Sequence, residues 1–218
     1  DAGESLAVIG ASGAGKSTLI RLLTGVWAPA AGAVRLDGAE LSQWPRAALG
    51  PHLGYMPQDV QLFAGSVAEN IARMGDVDAD AVVAAARLAR CHEMILALPE
   101  GYDTVIDPAS ALLSPGQRQR IALARTLYRE PKLVILDEPN ANLDGAGEQA
   151  LAETLADLRG KATVVVVTHR STLVAHVDKM LVIDAGRVQH FGSVAEVTRA
   201  MQGKTPAPAQ VVNMPRTA

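Results

Sequence analysis

Two stretches of the chain carry residue types whose spacing could manage phosphate and activate water. Gly10-Ala11-Ser12-Gly13-Ala14-Gly15-Lys16-Ser17 has the spacing G-x-x-x-x-G-K-[ST]. Glycines in such a loop let consecutive backbone N–H groups converge on phosphate oxygens with no Cβ in the way. A helix opening at the end of the loop adds the positive end of its dipole. Lys16 can then reach the β- and γ-phosphates and the Ser17 hydroxyl can ligate Mg²⁺, so Gly10 to Thr18 form the candidate nucleotide-binding set. The second stretch, Leu133-Val134-Ile135-Leu136-Asp137-Glu138, is an apolar run that ends in two carboxylates. Asp137 suits a Mg²⁺ coordination sphere, and Glu138 is placed to orient or polarise an attacking water. By itself the loop reads as a nucleotide binder and no more, and an isolated acidic pair at a strand end is ordinary solvated surface. Found together, and in the right strand context, they point to nucleotide hydrolysis.

The elements that must hold these groups read as an α/β protein. Ser5–Ile9 is a short apolar strand running into the loop, and Leu19–Leu23 reads as a helix stopped by Gly25. Val34–Leu36 and Leu53–Met56 are further strand candidates, the first closed by the turn Asp37-Gly38. From Ser66 the pattern becomes helical. Ser66 and Glu69 have capping-box spacing, and helices are expected over 78–89, 93–98 and 115–129. Strands then return. Leu133–Leu136 and Thr163–Val167 are continuous apolar runs of the kind that parallel strands buried on both faces require. A helix over 148–159 separates them, and Met180–Ile183 with Arg187–Gln189 suggest a late hairpin around Ala185-Gly186.

The bulk properties agree. The 218 residues suffice for one domain with a real core, and aromatics make up only 3%, so the core must be aliphatic. The net charge of −3 is mixed along the chain, with no basic block that would suit nucleic acid. A single cysteine, Cys91, excludes a disulfide framework. No apolar run approaches the ~20 residues a bilayer span needs.

Between the phosphate loop and the acidic pair stands Leu113-Ser114-Pro115-Gly116-Gln117, followed by the basic helix Arg118-Gln119-Arg120-Ile121-Ala122-Leu123-Ala124-Arg125. Here the chain resembles the ABC ATPase family, whose signature reads L-S-G-G-Q before a helix of this kind. Other elements fall in the same order. Gln58, in Met56-Pro57-Gln58-Asp59, matches the Q-loop glutamine, Asn142-Leu143-Asp144 the D-loop, and His169 the switch histidine. The two chemistry-bearing stretches are then the Walker A and Walker B motifs. The resemblance implies a P-loop NTPase (RecA-like) fold: a mostly parallel sheet in residues 1–64 and 131–202, an inserted α-helical subdomain in 65–130, and a flexible tail in 203–218. It implies ATP and Mg²⁺ as cofactors, with Ser17, Asp137 and Gln58 at the metal. Glu138, His169 and Gln58 would be catalytic. It also implies a head-to-tail dimer with a second copy, in which Ser114, Gly116 and Gln117 act on the partner's ATP.

Leu62–Ile71 and Pro99–Thr104 resemble exporter segments, and the runs 57–63 and 137–144 are similar to bacterial type I secretion ATPases. That resemblance implies export of a substrate, a protein by expectation, powered at the cytoplasmic face of a bacterial inner membrane. A transmembrane domain on the same polypeptide, a membrane fusion protein and an outer-membrane channel would be partners, and nucleic acid would not. The alternative is a soluble ABC ATPase acting on nucleic acid or the ribosome. A non-ABC P-loop kinase would leave Leu113–Gln117 unexplained, and a degenerate binding module would not need both Glu138 and His169. There are departures. Pro115 stands where the signature has glycine, and the segment 107–112 lacks the glycines exporters often carry. The family's adenine-stacking aromatic lies on a strand upstream of the loop, whereas none of the nine residues before Gly10 is aromatic. Leading strands are therefore expected beyond Asp1.

Overall fold

The computed structural model describes residues 1–107 and 112–202. The expected tail, 203–218, and most of the segment before the signature lie outside the described residues.

The chain opens with β1 (Ser5–Ile9), the phosphate loop and α1 (Lys16–Leu23). A small hairpin, β2 (Arg35–Leu36) and β3 (Ala39–Glu40), and a one-turn helix α2 (Arg46–Leu49) lead to β4 (Leu53–Met56). The helical stretch follows: a short strand β5 (Gly65–Ser66), then α3 (Val67–Ile71), α4 (Ala79–Leu88) and α5 (His92–Leu96). The strand β6 (Val105–Ile106) pairs back on β5, and α6 (Pro115–Leu127) ends the stretch. The remainder is β7 (Leu133–Asp137), α7 (Gly145–Leu158), β8 (Thr163–Val167), α8 (Ser171–Val174), β9 (Lys179–Asp184), β10 (Arg187–Ser193) and α9 (Val194–Gln202).

One six-stranded sheet, in the order β10-β9-β1-β8-β7-β4, organises the molecule. Every pairing in it is parallel except β10 against β9. The central strands are buried on both faces, which is why they read as unbroken Val, Ile and Leu rather than as alternation. On one face Val134, Leu136, Val164 and Val166 join a large cluster with Ile71, Ile95, Ile121 and Leu155 from the helices. On the other, Ile135, Val165, Val167 and Val8 pack on Ile20 of α1. The helical stretch 65–130 thus shares a continuous apolar core with the sheet.

Several boundaries differ from the sequence reading, each for a physical reason. α1 starts at Lys16, three residues early, because Gly15 with φ 105 serves as its N-cap. α7 starts at Gly145 because the Asp144 side chain accepts from the Gly147 N–H at 2.8 Å and caps it. α6 stops at Leu127 instead of Arg129, since Arg129 and Glu130 take φ values of 59 and 51, in the left-handed region. α9 was not anticipated. Its signal was present: Ser193 and Glu196 have capping-box spacing, and the Glu196 carboxylate accepts from the Ser193 N–H at 3.0 Å.

Candidate functional site

The strand order explains how residues 10–18, 58, 137–138 and 169 meet. β1, β8, β7 and β4 are successive parallel neighbours, so their C-terminal ends line one edge of the sheet. Ligands of open α/β sheets bind at that edge. The phosphate loop leaves β1, His169 follows β8, Asp137 ends β7, and Gln58 lies just past β4. A cleft of about 280 Å³ results, lined by Ser12, Gly13, Gly15 to Thr18, Gln58, Asp137, Glu138 and His169.

The phosphate loop is built for close approach. Gly13 and Gly15 have φ values of 76 and 105, open to glycine at no steric cost. A Cβ on Gly10 would lie 2.2 Å from the Ile183 carbonyl oxygen, so β9 passes directly behind the loop. The tight β9–β10 turn reinforces it, with the Gly186 N–H donating to Ala14 O at 2.9 Å. Lys16 is only 8% exposed, and its Nζ donates to the Gly10 and Ala11 carbonyls at 2.7 and 2.9 Å. The ammonium is therefore held across the loop, beside the cleft. Gly10, Ala11 and Ala14 form this support and do not line the cleft.

The acidic end of β7 is electrostatically loaded. Asp137 is 7% exposed. Burial, reinforced by the neighbouring Glu138, raises its carboxyl above the ordinary value of 3.8, with Lys16 and Arg21 acting in the opposite sense. Glu138 departs from the strand with φ 48, an uncommon conformation for a side-chain-bearing residue, and its N–H bonds the Val167 carbonyl at 2.9 Å. Its carboxylate then lies between two other expected site residues. Gln58 Nε2 donates to Glu138 Oε2 at 3.0 Å, and His169 Nε2 is 3.4 Å from Glu138 Oε1. With Nε2 turned to Glu138, the Gln58 amide oxygen remains to face a cation. The Ser17 hydroxyl and the Asp137 carboxylate share the cleft, and both are hard oxygen donors. Such a pair, completed by waters and phosphate oxygens, is how Mg²⁺ is commonly held, so the residues fit that ion.

Ser114, Gly116 and Gln117 do not line this cleft. They form the first turn of α6. Ser114 is its N-cap, accepting from the Gln117 N–H at 3.2 Å, while the Gln117 side chain accepts from the Ser114 N–H at 2.8 Å. Pro115 occupies the first helical turn, where its missing N–H would have had no helical partner.

Three supporting residues, Gln119, Asn140 and Thr168, carried no signal that sequence reasoning used. Gln119, 2% exposed, donates to the Pro139 carbonyl and accepts from the Asn142 N–H at 3.1 Å, fastening α6 to the loop after Glu138. Asn140 is buried, and its Oδ1 accepts from Thr168 Oγ1 at 3.3 Å, joining the Glu138 loop to the His169 loop. A polar residue's burial against a distant loop leaves no local pattern to read.

Comparison with known proteins agrees with this geometry. A family model described as ABC transporter matches residues 1–141. The type I secretion system ATP-binding protein PrsD of Rhizobium meliloti (strain 1021) is 52% identical over 90% of the chain and 34% of its own length. Human ATP-binding cassette sub-family B member 6 is 42% identical over 87% of the chain and 23% of its own length. A bacterial Atm1-family ABC exporter solved with ATP bound superposes with a TM-score of 0.83 at 36% identity, over 91% of this chain and 35% of that one. The chain thus spans about a third or less of the length of these relatives. Among the described residues no helix is long and apolar enough to cross a membrane.

Proposed function

The chain belongs to the ABC transporter family of ATP-hydrolysing transport enzymes, and from that premise we propose that it is the nucleotide-binding domain of a bacterial type I secretion exporter, powering export of a protein. The observation that carries the hydrolytic reading is Glu138, held by Gln58 and His169 at the lip of the cleft that Lys16, Ser17 and Asp137 also line. The protein cargo and the bacterial inner membrane, on its cytoplasmic face, rest on the 52% identity to PrsD. A transmembrane domain, a membrane fusion protein and an outer-membrane channel are the partners this reading requires.

In this proposal residues 1–64 and 131–202 form the ATP-binding core and 65–130 the helical subdomain. The amides of Gly10 to Thr18 and the Lys16 ammonium hold the phosphates. Ser17, Asp137 and Gln58 would hold Mg²⁺, which when bound neutralises charge on the phosphate oxygens. Glu138 orients the attacking water, and His169 stabilises charge on the terminal phosphate. Ser114, Gly116 and Gln117 serve the ATP of a second copy. That assignment is supported by their place at the N-terminus of α6, outside the cleft of their own chain.

The test has two arms. Phosphate release from Mg²⁺-ATP should be lost in Lys16→Ala, and a rate equal to the parent's would remove the hydrolytic reading. In cells carrying Glu138→Gln at the natural locus, specific proteins should disappear from the culture medium. An unchanged set of secreted proteins, with loss of small-molecule efflux instead, would remove the protein cargo.

A further inference from the structure

Outside the cleft, one side chain spends every donor it has on main-chain oxygens. Arg73 Nε donates to the Arg125 carbonyl at 3.1 Å. Its Nη1 donates to Gly50 O at 2.8 Å and Leu53 O at 3.2 Å. Its Nη2 donates to Thr126 O at 3.1 Å and Tyr128 O at 3.4 Å. A guanidinium has five N–H donors in a rigid planar fork, and here each one meets a backbone carbonyl.

The carbonyls lie at two places in the fold. Three lie at the C-terminal end of α6, where the last carbonyls lack helical partners and the dipole favours a cation. The other two belong to Gly50 and to Leu53, the first residue of β4. Both Arg73 and Met74 adopt left-handed backbone, with φ values of 60 and 59, just after α3 ends. Side-chain-bearing residues rarely take that conformation, and two in succession are unfavourable. The chain accepts it at the point that brings the guanidinium between α6 and β4. These elements touch at backbone distance: a Cβ on Gly54 would lie 2.3 Å from Thr126 O. A second arginine extends the tie, with Arg125 Nη2 of α6 donating to Gln61 O at 2.8 Å, three residues past Gln58.

We propose that Arg73 is a positioning residue that fastens the start of the strand leading to Gln58 to the C-terminal end of the helix beginning at Ser114. Loss of this tie is expected to loosen both the strand that sets Gln58, whose amide touches Glu138, and the helix α6. Its meaning for catalysis rests on the function proposed above. Lysine cannot substitute, because a single ammonium has three donors and no fork to span two elements.

The test is amide hydrogen exchange on the full chain, parent against Arg73→Lys and Arg73→Met, paired with Mg²⁺-ATP hydrolysis. Exchange should quicken together in 54–63 and 114–128 for both variants, while 10–20 keeps the parent's protection. Hydrolysis should lose roughly 10- to 100-fold in kcat, as for a displaced active-site group, with KM within about twofold. Quickening confined to 72–75, or spread evenly over the chain, would overturn the proposal. So would parental kcat in both variants, or full recovery of protection by lysine. If the parent itself hydrolyses no Mg²⁺-ATP, the hydrolytic reading fails, and the exchange pattern alone then decides whether Arg73 joins the two elements.

Discussion

Replacing Glu138 by glutamine is the sharpest perturbation this site allows, because the structure shows what the change preserves. The amide keeps the side chain's size and one acceptor oxygen, which can take the 3.0 Å hydrogen bond from Gln58 Nε2. Its NH₂ then faces His169 Nε2, which lies 3.4 Å from the oxygen it replaces and accepts when the imidazole proton is on Nδ1. Both contacts survive, so the fold should change by no more than about 0.5 kcal/mol, as for a surface substitution. Nucleotide affinity should hold or tighten, since one negative charge leaves the neighbourhood of the phosphates. What disappears is the carboxylate's charge and basicity. General-base contributions of roughly 10²–10⁴-fold set the expected loss of hydrolysis, about 2.7–5.5 kcal/mol of barrier. Phosphate release measures the loss, a fluorescent ATP analogue measures binding, and light scattering with Mg²⁺-ATP should reveal a long-lived dimer. A second substitution separates fold from chemistry. Glu138 sits at φ 48, and Glu138→Gly relieves that conformation. Thermal stability should therefore hold or rise in Glu138→Gly while hydrolysis is lost. A Glu138→Gln chain that binds ATP and hydrolyses it at the parent's rate would refute the role assigned to this carboxylate.

Other substitutions probe the frame around it. Gly10→Ala should place a Cβ 2.2 Å from the Ile183 carbonyl, so backbone must shift. A loss of about 1–3 kcal/mol is expected from such overpacking, read as a lowered Tm together with weakened ATP binding, and an unchanged Tm would contradict the close approach. Asp137 has its folded-state carboxyl raised, so the native state binds the proton more tightly than the unfolded chain does. Stability contributed at this residue is therefore lost as pH rises from the ordinary value of 3.8 through the raised one. Asp137→Asn should flatten that fall in a pH series of denaturant melts and gain stability at neutral pH, while losing the Mg²⁺ dependence of nucleotide binding; a steeper fall would refute the sign. Pro115→Gly should leave hydrolysis within about tenfold, because the cap already satisfies the first turn. A rise of several orders of magnitude would mean that the proline had disabled the signature. Ser114→Ala should cost about 1 kcal/mol of stability from the lost cap, measured by chemical melts.

Much of the site was legible because its chemistry is local. The phosphate loop needs particular residue types within eight consecutive positions, and the acidic pair needs only an apolar run before it. Strands were legible for a related reason: burial on both faces leaves β7 aliphatic up to Asp137 and β8 an unbroken run of valines after Thr163. What failed was decided at a distance. The sequence pattern carries α6 on to Arg129, but the chain turns left-handed at Arg129 and Glu130, and the helix's last carbonyls go to Arg73, more than fifty positions away. Gln119 has no neighbour in sequence that marks its role, and only the folded chain brings it against Pro139 and Asn142. The helix α9 is a different case, since its Ser193–Glu196 capping-box spacing is local and present in the sequence.

The arrangement of Gln58, Glu138 and His169 comes from the order of strands more than from any one segment. β7 lies between β4 and β8, so the loop leaving β7 is flanked by the loops that leave its two neighbours. Glu138 begins the loop after β7, Gln58 lies in the one after β4, and His169 in the one after β8. A regular extension of β7 would carry the next residue onward along the strand direction. The left-handed turn at Glu138, with its N–H held by Val167 at the end of β8, interrupts that course. The carboxylate is thereby set between the two flanking loops, where an amide and an imidazole can each reach one oxygen. The Thr168–Asn140 hydrogen bond then keeps the loops on the β7 and β8 side from drifting apart. A glutamate in any other strand position could have the same neighbours in sequence, yet it would lack this pair of opposed contacts. The uncommon backbone at Glu138 is therefore best understood as the local cost of placing one carboxylate where three parallel strands end.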